Sequence, residues 1–189
     1  MNSGYFVHST SIVDDGAQVG EGTKIWHFSH IQAGAKIGKQ CIFGQNTNVG
    51  AEAVIGDRCK VQNNVSIYDG VTLENDVFCG PSCVFTNDFF PRAHSDAGWV
   101  IRPTLVRSGA SIGANATIVC GNTIGRYAMI GSGSVVTHDV PDYALMAGVP
   151  ARQIGWVCQC GHKLSDKLDC ECCNRSYKVA DSGITPACD

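Results

Sequence analysis

Cut every six residues, the stretch from Ile25 to Ile67 reads IWHFSH IQAGAK IGKQCI FGQNTN VGAEAV IGDRCK VQNNVS I. Each block opens on Ile, Val or Phe. Each fifth residue is small or β-branched: Ser29, Ala35, Cys41, Thr47, Ala53, Cys59 and Val65. The period continues outward, back through Val19, Val13 and Val7 and forward through Leu73, Cys79 and Phe85. A second register runs Val106, Ile112, Ile118, Ile124, Ile130 and Val136, with Ala110, Ala116, Asn122, Ala128, Ser134 and Val140 at the fifth position.

Six is not a helical period, and plain two-residue alternation would not keep a fixed large-then-small order. The pattern predicts an all-β chain, a parallel β-helix whose short strands turn after every hexad. One bulky and one small side chain per hexad point into a narrow prism. Three hexads make a coil of 18 residues. Twenty hexads predict six to seven coils, a column about 30 Å long at the ordinary strand spacing. In this register Cys41, Cys59, Cys79 and Cys83 are inert inward thiols, because a free cysteine behaves as a small hydrophobe. Asn122 breaks the apolar pattern and needs hydrogen-bond partners if buried.

Composition agrees. Of 189 residues, 14 are Ile and 19 Val but only 5 Leu, and 22 are Gly, which favours strands and tight turns over helices. Hydrophobic residues make up 44% and charged residues 16%, a balance unlike that of disordered chains. The net charge of −3, with no basic block interleaved with aromatics, argues against nucleic acid or anionic lipid as partner. No apolar run reaches the roughly 20 residues of a membrane span, and Met1–Thr10 shows no secretory pattern. The 11 cysteines then read as reduced thiols of a cytoplasmic protein.

The registers are out of phase by the stretch from Thr86 to Leu105, so the chain is expected to leave the column there as a projecting loop. It carries Asn87, Asp88, Arg92, His94, Trp99 and Arg102, and loops on rigid scaffolds often carry function. After Val140 the repeat stops, and residues 141–156 should close the column. Residues 1–156 thus form one domain, and 157–189 a cysteine-rich tail. Cys158, Cys160, Cys170 and Cys173 are the preferred ligands of a structural zinc ion, with Cys172 and His162 as substitutes. Unligated thiols are the alternative.

The hexads, the loop and the run from Ile124-Gly125-Arg126 through Gly131-Ser132-Gly133-Ser134 to Gly148-Val149-Pro150-Ala151-Arg152 resemble the left-handed β-helix acyltransferases over about residues 5–156. The resemblance, not the period, implies the left hand, a homotrimer, and acetyl-CoA bound between neighbouring prisms. Ile25-Trp26-His27-Phe28, Gly44-Gln45-Asn46, Val61-Gln62-Asn63-Asn64 and Val84-Phe85-Thr86-Asn87 are most similar to nucleotide-sugar N-acetyltransferases acting on UDP-2-acetamido-3-amino-2,3-dideoxy-glucuronate for surface-polysaccharide synthesis. Enzymes for dTDP-3-amino-6-deoxyhexoses or UDP-4-amino sugars look similar over the same stretches.

Many relatives carry a catalytic His near the start of the loop, where this chain has Asn87. A sugar amine titrates near 7.7–8 like an α-amino group, so direct attack on the thioester needs little base catalysis. Asn87 would orient the amine; it could equally be a turn residue, with His94 as the rival base. Stacking by 18 aligns His27, Gln45 and Asn63, then Phe28, Asn46 and Asn64, and sets Asp69 one coil below Asn87. Amides in such columns suit a nucleotide-sugar, or else bond to one another. Arg92 and Arg102 are candidate partners for a uronate. The resemblance puts the backbone amides of Ala114 and Ser132 along the pantetheine, with Ala114 facing the oxyanion, and Thr137, His138 and Arg152 toward the nucleotide of CoA. Two other readings compete: a γ-type carbonic anhydrase, for which His27 and His30 lack the needed downstream pair, and a non-catalytic scaffold with a zinc-knuckle interaction tail.

Overall fold

The computed structural model describes residues 4–94 and 100–187, so Trp99 lies outside the described residues. The described residues form twenty-four strands and no helix, wound as a left-handed parallel β-helix of about eight turns. Three faces recur in order. The first carries Phe6–Val7, Lys24–Ile25, Ile42–Phe43, Lys60–Val61, Phe78–Cys79, Ser111–Ile112 and Met129–Ile130; the second begins Ile12–Val13 and the third Gln18–Val19. Partners sit 18 residues apart, as in Lys24↔Ile42 and His30↔Asn48, and every pairing between consecutive coils is parallel.

The hexad explains the packing. From Ile25 to Val136 the first residue of each block is buried, and Ile25, Ile31, Phe43, Ile67, Ile112 and Ile118 are fully so. Each contributes roughly 1.5–3 kcal/mol. In the first coil, which a neighbour covers on one side, Val7 is exposed and Val13 and Val19 are half-buried. The small inward position serves a second purpose. Thr23 and Ser29 donate to the carbonyls of Gly38 and Gly44, while the Cys41 and Cys59 thiols donate to those of Gly56 and Glu74. These cysteines therefore do the work of Ser or Thr at the same position. Cys79 is fully buried, and its hydrogen bond with Cys83 together with burial holds its thiol well above the usual range.

Corners turn through a left-handed residue, including Gln40, Asn46, Arg58, Asn64, Asp76 and Tyr127, with φ between 54° and 61°. That conformation is costly for a side chain bearing Cβ. Hydrogen bonds between coils hold it, such as Asn46 N–H to His27 O and Arg58 N–H to Lys39 O.

The 18-residue step becomes 33 between Leu73 and Val106, between Phe78 and Ser111, and between Phe85 and Ile118. One insertion accounts for all three. The chain leaves after Phe85 and re-enters in the strand Thr104–Val106, so Leu105, expected in the loop, pairs with Thr72 and Thr123. Asn122 finds its partners locally, donating from Nδ2 to the carbonyls of Val119 (2.7 Å) and Cys120 (3.4 Å).

The column is longer than the hexads alone predict. Residues outside the pattern continue it: Ala144–Ala147 adds in parallel to Met129–Ile130, and Arg152–Trp156 then folds back antiparallel. Beyond it, Tyr177–Ala180 and Gly183–Pro186 form a hairpin beside a small core of Tyr143, Cys158, Leu164, Cys170, Tyr177 and Ile184. No helix among the described residues is long and apolar enough to cross a membrane.

Candidate functional site

The sequence-predicted groups fall on two corners of the prism. The corner after the first face carries Gln45, Asn46, Asn63, Asn64, Ala114 and Ser132; the corner after the second face carries Asp69, Asn87, Thr137 and His138. One face, six residues of chain, separates them. Ala114 and Asn87 are therefore not brought together on one copy of the chain.

On the first corner two lower coils are tied to each other by side chains. The Gln45 amide donates to Asn63 Oδ1 (2.9 Å), and Asn46 Nδ2 donates to Asn64 Oδ1 (3.0 Å). Asn46 and Asn64 are also left-handed turn residues, so the self-bonded ladder weighed as an alternative is present here. The same cap recurs on another corner, where Lys39 N–H donates to Asp57 Oδ1 and Asp57 N–H to Asn75 Oδ1. At the third hexad residue of this corner only Gln45 is capped: among the described residues the main-chain amides of His27 and Asn63 below the loop, and of Ala114 and Ser132 above it, donate to no acceptor. Gly80 and Gly113 let the coils close at this corner. A Cβ on Gly80 would lie 2.7 Å from Ala114 N, and one on Gly113 2.5 Å from Ser132 N.

On the second corner Asp69 accepts from Glu52 N–H (2.9 Å), which makes it a turn cap. Asn87 differs. It is half-buried, its carbonyl accepts from Arg102 N–H (3.0 Å), and its side chain makes no hydrogen bond among the described residues. The side-chain turn at the start of the loop belongs instead to Asp88, whose Oδ1 accepts from Phe90 N–H (2.9 Å). Arg102 lies over the Phe89 ring at 5.2 Å. Arg92 donates to the Pro91 carbonyl, and His94 is exposed.

At the upper end, Thr137, His138 and Arg152 do converge. With Val136, Met146, Ala151 and Gln153 they line a cleft of about 310 Å³. Thr137 Oγ1 lies 2.9 Å from His138 Nδ1.

In the tail, the sulfurs of Cys158, Cys160, Cys170 and Cys173 lie within 4.8 Å of one another. Burial by itself would raise the Cys158 thiol, but the Cys160 amide, the Tyr177 hydroxyl and neighbouring thiols pull it down to about 6. No metal-ligating group among the described residues includes His27 or His30, and His30 Nε2 pairs instead with Asp14 at 3.0 Å.

Sequence reasoning missed the clasp across the loop. Glu74 accepts from both the amide and the hydroxyl of Ser108 at 2.9 Å, and Thr86 Oγ1 accepts from Cys120 N–H at 2.9 Å. The signal was available: aligning the two registers gives a 33-residue step that sets Glu74 and Thr86 beside the residues that precede Ser108 and Cys120.

Residues 16–51 match the family model described as bacterial transferase hexapeptide (six repeats). The dTDP-3-amino-3,6-dideoxy-alpha-D-galactopyranose 3-N-acetyltransferase of Aneurinibacillus thermoaerophilus is 56% identical over 85 residues, covering 43% of this chain and 44% of that protein. The chain spans less than half the length of the curated relatives it matches. Among solved structures, a galactoside acetyltransferase in complex with coenzyme A is 24% identical with a TM-score of 0.55, over 79% of this chain and 70% of that one. A variant of perosamine N-acetyltransferase from Caulobacter crescentus, in complex with CoA and GDP-perosamine, is 22% identical with a TM-score of 0.53, over 80% and 56%. At these identities the two structures speak for the fold, a β-helix wound from the hexapeptide repeat.

Proposed function

We propose that the chain transfers an acetyl group from acetyl-CoA to the 3-amino group of a nucleotide-linked sugar. The observation that carries this reading is the 56% identical match to an enzyme named for that reaction on a dTDP-linked sugar. The dTDP-3-amino-6-deoxyhexoses are thus the first acceptors to test. UDP-2-acetamido-3-amino-2,3-dideoxy-glucuronate is the second, favoured by two loop arginines, Arg92 and Arg102, that a sugar carboxylate can pair with.

The amine nitrogen attacks the thioester carbon, and negative charge develops on the carbonyl oxygen. The uncapped amide of Ala114 is an oxyanion donor already fixed by the ladder and needs no reorganisation. The Asn87 side chain, which makes no hydrogen bond among the described residues, orients the amine. As the tetrahedral intermediate collapses, the C–S bond breaks, and the departing thiolate takes the proton lost by nitrogen, leaving amide and CoA-SH. Gln45 and Asn63 on the first corner, and Asp69 on the second, then act chiefly by shaping their corners. Thr137, His138 and Arg152 hold the nucleotide end of CoA in the upper cleft. Because Ala114 and Asn87 stand on different corners, one site takes Ala114 from one copy and Asn87 from another, which a homotrimer supplies three times over.

The test is mass spectrometry of nucleotide-sugars after incubation with acetyl-CoA. The panel holds dTDP-3-amino and dTDP-4-amino deoxyhexoses, the UDP-3-amino uronate and a hydroxyl-only control. A gain of one acetyl group on a 3-amino sugar is expected. Gain on the hydroxyl control overturns the amine reading, and no gain together with no thermal protection by acetyl-CoA favours a non-catalytic scaffold.

A further inference from the structure

Residues 157–187 gather around only a small core, and units with so little buried apolar surface usually need a disulfide, a metal or a partner. Two members of that core, Cys158 and Cys170, are thiols each 1% exposed. Cys158 Sγ lies 3.3 Å from Cys173 Sγ, and Cys160 Sγ lies 3.5 Å from Cys170 Sγ. Four thiolates around zinc at about 2.3 Å would stand about 3.8 Å apart, which these positions approach from within.

We propose that Cys158, Cys160, Cys170 and Cys173 bind one zinc ion, which serves as the core of the tail and fastens it to the upper end of the solenoid. Each pair of ligands sits at a tight turn: Gly161 N–H donates to Cys158 O, and Asn174 N–H donates to Cys170 O, both at 2.8 Å. The surroundings suit a tetrathiolate, whose net charge with zinc is −2. The Tyr177 hydroxyl donates to Cys158 Sγ (3.1 Å), and Arg175 Nη1 donates to Cys173 Sγ (3.5 Å). Such outer groups orient ligands and offset their charge. Cys172 is excluded from the set. It is exposed and lies with Cys160 and His162 on the outer side. All four positions are filled by protein, so the ion is structural, with no open site for substrate.

The ion also reaches the solenoid. Tyr177, hydrogen-bonded to one ligand, packs edge-on against Tyr143 at 5.2 Å, and Tyr143 stacks on Tyr127 at 5.2 Å. Gln159 Nε2 donates to Tyr143 Oη (3.0 Å), and Asp142 N–H donates to Ser182 O (2.8 Å). Tyr143 immediately precedes the strand Ala144–Ala147, which contributes Met146 to the upper cleft.

This inference is independent of the acyl-transfer reading, and its test reads metal rather than activity. The full chain from zinc-replete cells is assayed by elemental analysis, with one zinc per chain expected. Cobalt exchanged into the site should give the visible and charge-transfer bands of a tetrahedral tetrathiolate. Cys170→Ser should lose the ion, whereas Cys172→Ser and His162→Ala should keep it at full stoichiometry. Chelation of the wild type should open the tail to protease while residues 4–156 stay protected. A chain that holds iron or no metal, a Cys158–Cys173 disulfide found by mass, or equal metal loss in Cys172→Ser would each overturn the proposal.

Discussion

The lower and upper coils of the column are wound from the same hexad, and along both some turn amides are capped while others are left free. Below the loop, each capped amide has an Asx side chain one coil away, as Asp57 caps Lys39 and Asn63 caps Gln45. Among the described residues the main-chain amides of Ala114 and Ser132 above the loop have no acceptor, nor do those of His27 and Asn63 below it, while Arg126 N–H donates to Asp142 Oδ1 at 2.7 Å. A cap spares a buried donor the roughly 1–3 kcal/mol of going unpaired, whereas Ala114 is half-buried and Ser132 exposed, within reach of solvent. An uncapped amide is a donor open to water or to a ligand, and Ala114 is the one the acyl-transfer reading uses.

The sharpest way to break that comparison is to delete one uncapped donor. Pro81 occupies the same hexad position one coil below Ala114, so the corner accepts proline. Ala114→Pro is expected to leave the melting temperature near that of the wild type and to lower kcat roughly 10²–10³-fold, the usual cost of one oxyanion donor. Unchanged kcat would mean the free amide is incidental. Mixing Ala114→Pro with Asn87→Ala chains during refolding should recover activity, since some sites would then pair two intact residues from different copies.

Next in size is Asn87 itself. Asn87→Ala should lower kcat/KM about tenfold, near the 1.4 kcal/mol of one hydrogen bond, and His94→Ala should leave it unchanged. The reverse result would make His94 the base and Asn87 a loop residue.

A smaller effect belongs to the lower coils. Asp57→Ala exposes the Lys39 amide and should cost about 1 kcal/mol in urea unfolding with kcat intact. If it instead reduced kcat, capped and uncapped corners would not differ in purpose.

Nearly all of the column was legible because every hexad repeats one packing problem, so that Ile25 and Ile118 answer it alike. The inward cysteines were legible for the same reason, although their bonding to Gly56 and Glu74 carbonyls was not, since it depends on a neighbouring corner 15 residues on. The eighth turn was not legible. Ala144–Ala147 joins the first face without a hexad, held by pairing to Met129 and Ile130 rather than by pattern. For the site, stacking by 18 already grouped Gln45 with Asn63 and Asp69 with Asn87; the separation of Ala114 from Asn87 was not legible, because the loop changes the step to 33 between Cys79 and Ile112.

The least effect is expected at the clasp that bridges the two registers, Glu74 on Ser108. Burial tends to raise the Glu74 carboxyl, but the Ser108 amide and hydroxyl, with Arg107 and Arg126 nearby, hold it below the usual range. A carboxylate whose folded pKa is depressed adds stability above its unfolded value, near 4.3, and loses that contribution as pH falls through the folded value. Glu74→Gln keeps one acceptor and should cost only about 0.5–1 kcal/mol at neutral pH. The gap between variant and wild type should close as pH falls below about 4. A gap that stayed constant to low pH would mean the charge on Glu74 contributes nothing, and that the loop is anchored by the shape of the ladder alone.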